Sequence, residues 1–298
     1  MQGKIIKGVG GFYYIHLHDN RIFECKAKGA FRNQNIKPAV GDNVEIDIID
    51  EEKLTGNIVS ILPRNNTLVR PAVANVDQAV IIFALSNPEP NYNLLDRFLI
   101  MMDKQDVKTI ICLNKADLVD DADADEIKKI YEECGYDVII TSTYSSKQDD
   151  DNYGINKLKM LIDGKTTVFA GPSGVGKSSM LNMFKPDGMV QTGEISEKIK
   201  RGKHTTRHSE LIFIWENTFI MDTPGFSSLY VEDMEPSDLK EYYGEFAEYR
   251  DICRFNGCVH INEPDCGVKM ALEKGAISNL RYNNYKQLYD ELKNKRRW

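Results

Sequence analysis

Residues 171–178 read Gly171-Pro172-Ser173-Gly174-Val175-Gly176-Lys177-Ser178, and Ser179 follows. Glycines in this pattern let successive backbone N–H groups curl around a phosphate without side-chain clash. The apolar run TTVFA before it predicts a strand, and SSMLNMF after it predicts a helix whose N-terminus adds positive dipole. In that setting Lys177 bridges β- and γ-phosphates, and the Ser178 hydroxyl ligates Mg²⁺. Outside that setting the same residues would be only a glycine-rich turn.

A second tetrad, Asn114-Lys115-Ala116-Asp117, follows the apolar run VKTIICL. A carboxylate at Asp117 accepts from the ring N–H and the exocyclic amine of guanine together. Adenine offers no such donor pair, so the pattern selects GTP and GDP over ATP. Asp222-Thr223-Pro224-Gly225 follows the apolar run TFIM. Here Asp222 holds the Mg²⁺ shell and the Gly225 N–H senses the γ-phosphate; a plain Asp-x-Pro-Gly turn is the alternative. Ile140-Thr141-Ser142-Thr143 ends a strand and makes Ser142 the candidate for a last guanine-contacting loop. A simple strand end would look the same.

The order of these segments is not that of an ordinary GTPase. The base-reading elements at 114–117 and 142 precede the phosphate loop at 171 and the DTPG segment at 222. The domain therefore reads as circularly permuted, with DTPG leading directly into the C-terminal segment. Between phosphate loop and DTPG lies the polar stretch 191–209, which contains Arg201-Gly202-Lys203-His204-Thr205-Thr206-Arg207. One threonine there, Thr205 or Thr206, completes the Mg²⁺ shell. Phe226 stands where many GTPases carry a water-orienting glutamine, and a phenyl ring cannot hydrogen-bond water. Slow intrinsic hydrolysis and an external activator follow. His204 is the nearest in-chain group able to orient water; an exposed loop histidine is the alternative.

Cys253, Cys258, His260 and Cys266 form C-x4-C-x-H-x5-C. Three thiolates and one imidazole suit tetrahedral Zn²⁺ with no open position, a structural rather than a catalytic site. Unmetallated cysteines in a small core are the alternative. Glu263, inside the same segment, reads as solvated. Cys25, Cys112 and Cys134 are scattered and read as ordinary small buried residues.

The elements that must position these residues fall into three segments of a 298-residue chain. Residues 1–70 hold short apolar runs broken by turn residues, which predicts an OB-like barrel of five strands suited to RNA, an SH3-like barrel being the alternative. Alternation in HLH places His16 and His18 together on a solvated face. Residues 71–230 alternate apolar strands with helical stretches near 91–104, 122–135 and 154–162, which predicts a parallel sheet flanked by helices. Residues 231–298 read as a helical zinc-binding domain. Leu280, Tyr282, Tyr285, Leu288, Tyr289 and Leu292 form the buried stripe of its last helix. The tail 293–298 is basic and reads as a solvated end, with an RNA contact as the alternative.

Composition narrows the setting. The net charge is −7, and residues 1–70 hold ten Lys/Arg against eight Asp/Glu. The sum argues against a strongly basic nucleic-acid protein. No run of 18 apolar residues predicts a membrane span, and the N-terminus shows no secretory pattern, so the expected location is the cytoplasm.

NKAD, GPSGVGKSS, GKHTT at 202–206, DTPG with Phe226 after it, and the Cys253/Cys258/His260/Cys266 quartet together resemble the bacterial small-ribosomal-subunit-dependent GTPase family, RsgA/YjeQ. The resemblance covers nearly the whole chain. It implies an OB-like front, a permuted P-loop GTPase domain and a zinc-binding tail. It also implies GTP hydrolysis stimulated by the small ribosomal subunit and its rRNA, a role in late maturation of that subunit, one bound zinc, and His204 as the catalytic histidine. A monomer without membrane attachment is expected. Two other classes fit the motifs: a GTP-controlled RNA-docking scaffold with negligible turnover, and a small-molecule phosphotransferase. NKAD argues against the second.

Overall fold

Strands β1 (Gln2–Val9), β2 (Phe12–Leu17), β3 (Ile22–Ala27), β4 (Asn43–Asp50) and β5 (Thr55–Ile61) close into a barrel in the order β1-β2-β3-β5-β4. Alternation drives the closure. Ile5, Ile15, Phe23, Cys25, Val44, Ile46 and Ile58 all point inward and are at most 2% exposed. Their register stacks them, with Ile5 opposite Ile15, Ile15 opposite Phe23 and Ile46 opposite Ile58. β3 and β5 pair parallel and β1 closes on β4. This is the five-stranded OB-like barrel expected from the sequence.

The computed structural model describes residues 1–28, 31, 37–144, 154–185, 210–223, 231 and 234–294. Contacts gather the chain into two units. The first holds Met1–Val80, Asp149–Ala170 and Gly176–Gly225; the second holds Ile81–Gln148, Gly171–Val175 and Phe226–Trp298.

A two-stranded ribbon of β6 (Thr67–Leu68) and β7 (Val73–Ala74) follows the barrel, and six strands then share one sheet in the order β10-β9-β8-β11-β13-β12: β8 (Gln78–Ala84), β9 (Thr109–Asn114), β10 (Asp137–Ile140), β11 (Thr166–Ala170), β12 (Leu211–Trp215) and β13 (Thr218–Asp222). Helices α1 (Tyr92–Asp103), α2 (Asp121–Glu133), α3 (Ile155–Ile162) and α4 (Lys177–Phe184) alternate with them. All seven residues of β8 are buried, as a central strand covered on both faces requires. β10 pairs parallel with β9, and β11 with β13. β12 is an addition to the parallel pattern. It runs antiparallel to β13 through a tight turn in which Glu216 takes a φ of 42°.

The first unit shows why one sequence expectation fails. His16 is 5% exposed, not solvated. Its ring stacks on Phe213 of β12 at 4.2 Å and meets Phe219 of β13 edge-on at 5.5 Å. Alternation put His16 on the outer face of β2 correctly, but aromatic rings cover that face. His18, beyond the end of β2, is exposed. Lys4 donates to Thr166 Oγ1 at 3.1 Å, and Lys7 pairs with Glu210 at 2.9 Å.

In the second unit the C-terminal elements are 3-10 turns at Pro236–Tyr242 and Gly244–Phe246, then α5 (Ala247–Arg250), α6 (Gly267–Glu273) and α7 (Asn279–Asn294). Tyr282, Tyr285, Leu288 and Leu292 of α7 enter a core with Leu239, Tyr243, Phe246 and Val268 as the stripe predicts, whereas Tyr289 packs against it half-buried and Leu280 is half-buried outside it. Arg281 is buried with them. Arg97 of α1 donates to both Glu291 oxygens, at 3.0 and 2.5 Å, and further fastens α7 to α1.

Candidate nucleotide and metal sites

In the first unit, α4 begins at Lys177 immediately after Gly176, whose φ of 102° turns the chain into the helix. Lys177 is buried, Ser178 half-buried and Ser179 exposed. Burial pushes the Lys177 ammonium down, opposed by the charge of Asp222 at the end of β13. Burial pushes the Asp222 carboxyl up, opposed by Lys177. Asp222 Oδ1 is buried and has no hydrogen-bond partner among the described residues. An orphaned buried carboxylate oxygen is costly unless something cationic or a bound water faces it. The donor set therefore fits a hydrated Mg²⁺. Thr223 fixes the strand end: its N–H and its hydroxyl both donate to Phe169 O of β11, at 3.0 and 2.9 Å.

In the second unit three loops converge. Residue 171 must be glycine, because its φ of 145° and the nearby Ile82 carbonyl leave no room for a Cβ. Asn114, at the end of β9, is fully buried and donates through Nδ2 to Val175 O at 2.8 Å. Lys115 adopts a left-handed φ of 64° and donates from Nζ to Asn87 O. Asp117 is exposed, and Ser142 Oγ donates to its Oδ1. Ala116 N–H donates to Thr141 O at 3.2 Å, and Thr141 N–H to Leu113 O at 2.8 Å. Residues 114–117, 141–142 and 171–175 thus meet, with Pro172 half-buried and Ser173 and Gly174 exposed beside them. The arrangement can present the Asp117 carboxylate, steadied by Ser142, to the two N–H donors of guanine. Thr141 is a member that the sequence reading left without a role. Its backbone and hydroxyl contacts are long-range in sequence, which no motif announces. His204, Thr205, Thr206, Gly225 and Phe226 lie outside the described residues.

The Cys/His quartet comes together in the second unit. The ligand atoms of Cys253, Cys258, His260 and Cys266 lie within 4.8 Å of one another. Cys253 Sγ is 3.6 Å from His260 Nδ1 and 3.9 Å from Cys266 Sγ, and His260 Nδ1 is 3.3 Å from Cys266 Sγ. A tetrahedral zinc with Zn–S near 2.3 Å and Zn–N near 2.0 Å has ligand edges of roughly 3.5–3.8 Å. The residues fit such an ion, with Nδ1 of His260 as the donor. Burial pushes the Cys258 thiol up to about 12 and His260 down to about 4. The imidazole is thus neutral, as a ligand must be, and a cation is what draws the protons from the sulfurs.

The loop holding these ligands is tied at three successive carbonyls. Tyr282 OH donates to His260 O and Tyr285 OH to Val259 O, both at 2.6 Å. Lys240 Nζ donates to Cys258 O at 3.1 Å. Gly267 N–H donates to Cys253 Sγ at 3.3 Å, and a Cβ at 267 would collide with Tyr249 O. Glu263 corrects a second expectation. It is not merely solvated: its carboxylate accepts from the N–H groups of Val259, Ile261 and Asn262 at 2.9–3.1 Å.

A parallel sheet whose strand β11 feeds a glycine-rich loop and helix, with the Asn114-Lys115-Ala116-Asp117 loop earlier in the chain, defines a P-loop GTPase with its elements in permuted order. Residues 61–232 match the family model for the RsgA GTPase, and residues 2–58 that for the RsgA N-terminal domain. The chain is 54% identical, over the full length of both, to the small ribosomal subunit biogenesis GTPase RsgA of Agathobacter rectalis. It is 48% identical to that of Alkaliphilus metalliredigens, covering all of this chain and 99% of the relative. Among solved structures, YjeQ from Thermotoga maritima matches with a TM-score of 0.80 at 35% identity, covering 99% of each chain. YloQ, described as a circularly permuted GTPase, matches with a TM-score of 0.76 at 37% identity, covering 100% of this chain and 96% of the other. The chain belongs to the RsgA GTPase family, whose members are GTP hydrolases.

Proposed function

We propose that this GTPase hydrolyses GTP under stimulation by the small ribosomal subunit and its rRNA, late in maturation of that subunit. The names of its full-length relatives support the ribosomal part. The observation that carries the nucleotide part is the buried bond from Asn114 to Val175 O, which ties a base-reading loop to a phosphate loop. Asp117 reads guanine with Ser142 behind it, Asn114 and Lys115 shape the base loop, and residues 171–179 wrap the phosphates. Lys177 spans the β- and γ-phosphates. Ser178, Asp222 and one of Thr205 and Thr206 hold Mg²⁺, which when bound neutralises charge developing on the phosphate oxygens. Gly225 senses the γ-phosphate, and His204 orients the attacking water in place of the glutamine that Phe226 replaces.

The division of labour follows the three segments. Residues 1–70 contact RNA, 71–230 bind and hydrolyse GTP, and 231–298 hold a structural zinc on Cys253, Cys258, His260 and Cys266. The protein works as a cytoplasmic monomer. No described helix is long and apolar enough to cross a membrane. The test is GTP turnover by the full chain with and without purified small subunits. Strong stimulation is expected; tight GTP binding with turnover unmoved by the subunit would overturn the coupled reading.

A further inference from the structure

A zinc-bound histidine is usually held by its second ring nitrogen, which donates to a carboxylate, a carbonyl or water and so fixes the ring. His260 lacks that hold. With Nδ1 turned to the sulfurs of Cys253 and Cys266, its Nε2 is buried and has no hydrogen-bond partner among the described residues. Nδ1 is also the ring nitrogen nearer the main chain, so its aim depends closely on the backbone at 260. That backbone has a φ of 60°, in the left-handed region that residues other than glycine seldom enter. Three donors from outside the loop grip it instead. Lys240 Nζ, Tyr285 OH and Tyr282 OH take the successive carbonyls of Cys258, Val259 and His260, from 18, 26 and 22 positions away. The two tyrosines stand three residues apart on α7 and so share one helix face. Phe246 packs against both the imidazole, at 5.8 Å, and the Tyr285 ring, at 5.0 Å. The helix that carries both hydroxyls is itself fastened to α1 through Glu291 and Arg97.

We propose that Tyr282 and Tyr285 are positioning residues for zinc: their hydroxyls hold the 258–260 backbone in the conformation that aims His260 Nδ1 at the metal, so that docking of α7 and zinc affinity are coupled. The inference rests on the metal-site reading above. Tyr282 is the stronger link, because it takes the carbonyl of the ligand residue itself, whereas Tyr285 acts one residue upstream. The coupling is reciprocal. Whatever α7 adds to zinc affinity, zinc adds to the docking of α7. Tyrosines that served the core alone would stabilise the zinc-loaded and the metal-free protein alike.

The test measures zinc affinity of the full chain by competition with a chromophoric chelator, with thermal midpoints of zinc-loaded and metal-free protein followed alongside. Tyr282→Phe keeps the ring in the core and removes only the hydroxyl. It is expected to weaken zinc about tenfold and to narrow the gap between the two midpoints. Tyr285→Phe is expected to weaken zinc about threefold. Tyr289→Phe, one turn beyond Tyr285 on the same helix, is the control and should leave zinc affinity at the wild-type value. Hydrogen exchange gives the reciprocal reading: removing zinc should speed amide exchange over residues 280–288 in wild type, and less so in Tyr282→Phe. Wild-type zinc affinity in Tyr282→Phe, equal losses in the loaded and metal-free midpoints, or α7 exchange untouched by zinc removal would each overturn the coupling. If Tyr282→Phe does not fold, Tyr285→Phe against Tyr289→Phe decides, and equal zinc affinity in those two overturns it. Wild-type protein that binds no zinc would instead overturn the metal-site reading itself.

Discussion

Arg281 of α7 donates to Asp96 of α1 at 2.5 Å, with the arginine side chain 1% exposed and the aspartate 0%. Arg281 also reaches Glu245 at 2.8 Å, while Asp96 accepts from Tyr131 OH at 3.0 Å and Asn284 Nδ2 at 2.8 Å. A buried charge pair with its remaining donors and acceptors satisfied is tolerable; half of one is not. It joins α7 to α1, which packs on β9.

Removing the cation should therefore cost far more than removing the pair. Arg281→Met is expected to destabilise by about 3–5 kcal/mol, and adding Asp96→Leu should recover only part of that, because Glu245 is still left without its partner. Burial pushes the Asp96 carboxyl up, and Arg281, Asn284 and Tyr131 oppose it. In Arg281→Met the main opposition is gone, so Asp96 takes up a proton in the fold at a pH where the unfolded chain has lost it. That variant's stability is held below the unfolded carboxylate range and lost as pH rises through the raised folded value. Urea unfolding from pH 4.5 to 8 should show its deficit against wild type widening toward alkaline pH; a deficit independent of pH would sink this account.

The metal quartet predicts a second stability effect. Chelation should release a single zinc ion per chain and lower the thermal midpoint, and re-addition should restore it. Glu263→Ala, with the four ligands intact, leaves three loop N–H groups without their acceptor. It should cost about 1–3 kcal/mol and speed zinc release. Metal analysis with a colorimetric zinc dye reads both. A chain purified without metal and with an unchanged midpoint would remove zinc from the structure's support.

The sequence made the sites easier to read than their supports. The GxxxxGKS run, NKAD and the Cys/His spacing are local patterns, each of the kind that a phosphate, a guanine or a zinc ion would require. The barrel and the alternating sheet were legible because period-2 apolar runs and turn residues determine them. What escaped was non-local. His16 looked solvated because no strand pattern shows that Phe213 and Phe219 cover the outer face of β2. Arg281 drew no notice in the sequence because its partners lie 185 and 36 positions away. Glu263 looked solvated because its partners are backbone N–H groups, which sequence does not advertise.

Guanine selectivity is expected to reside in one carboxylate. Asp117 stands exposed with Ser142 Oγ on one oxygen, leaving acceptor capacity for a ligand. Asp117→Asn replaces one acceptor with a donor facing the base's own donors. GTP binding should weaken by about 2–3 kcal/mol, roughly 30- to 150-fold. The fold should be undisturbed, because the side chain is exposed. Calorimetric titration with GDP checks this, and unchanged affinity would remove Asp117 from the base site.

His16 is expected to give the first unit an acid sensitivity of its own. It is enclosed by Phe213 and Phe219, and burial pushes its imidazole below the usual histidine value, opposed by Asp19. A histidine whose folded value is depressed stabilises the neutral fold. That contribution is complete above the unfolded value near 6.5 and lost as pH falls through the folded one. Between pH 7.5 and 5 the first unit should therefore weaken. His16→Phe keeps the stacked ring and removes the proton site. Its thermal midpoint should stay near wild type at pH 7.5 and exceed wild type at pH 5. Asp19 sits in an exposed ion pair with Arg21, so Asp19→Asn removes the one charge that favours the imidazolium and should steepen the acid loss. If His16→Phe falls with pH as steeply as wild type, protonation of His16 is not what destabilises the barrel in acid.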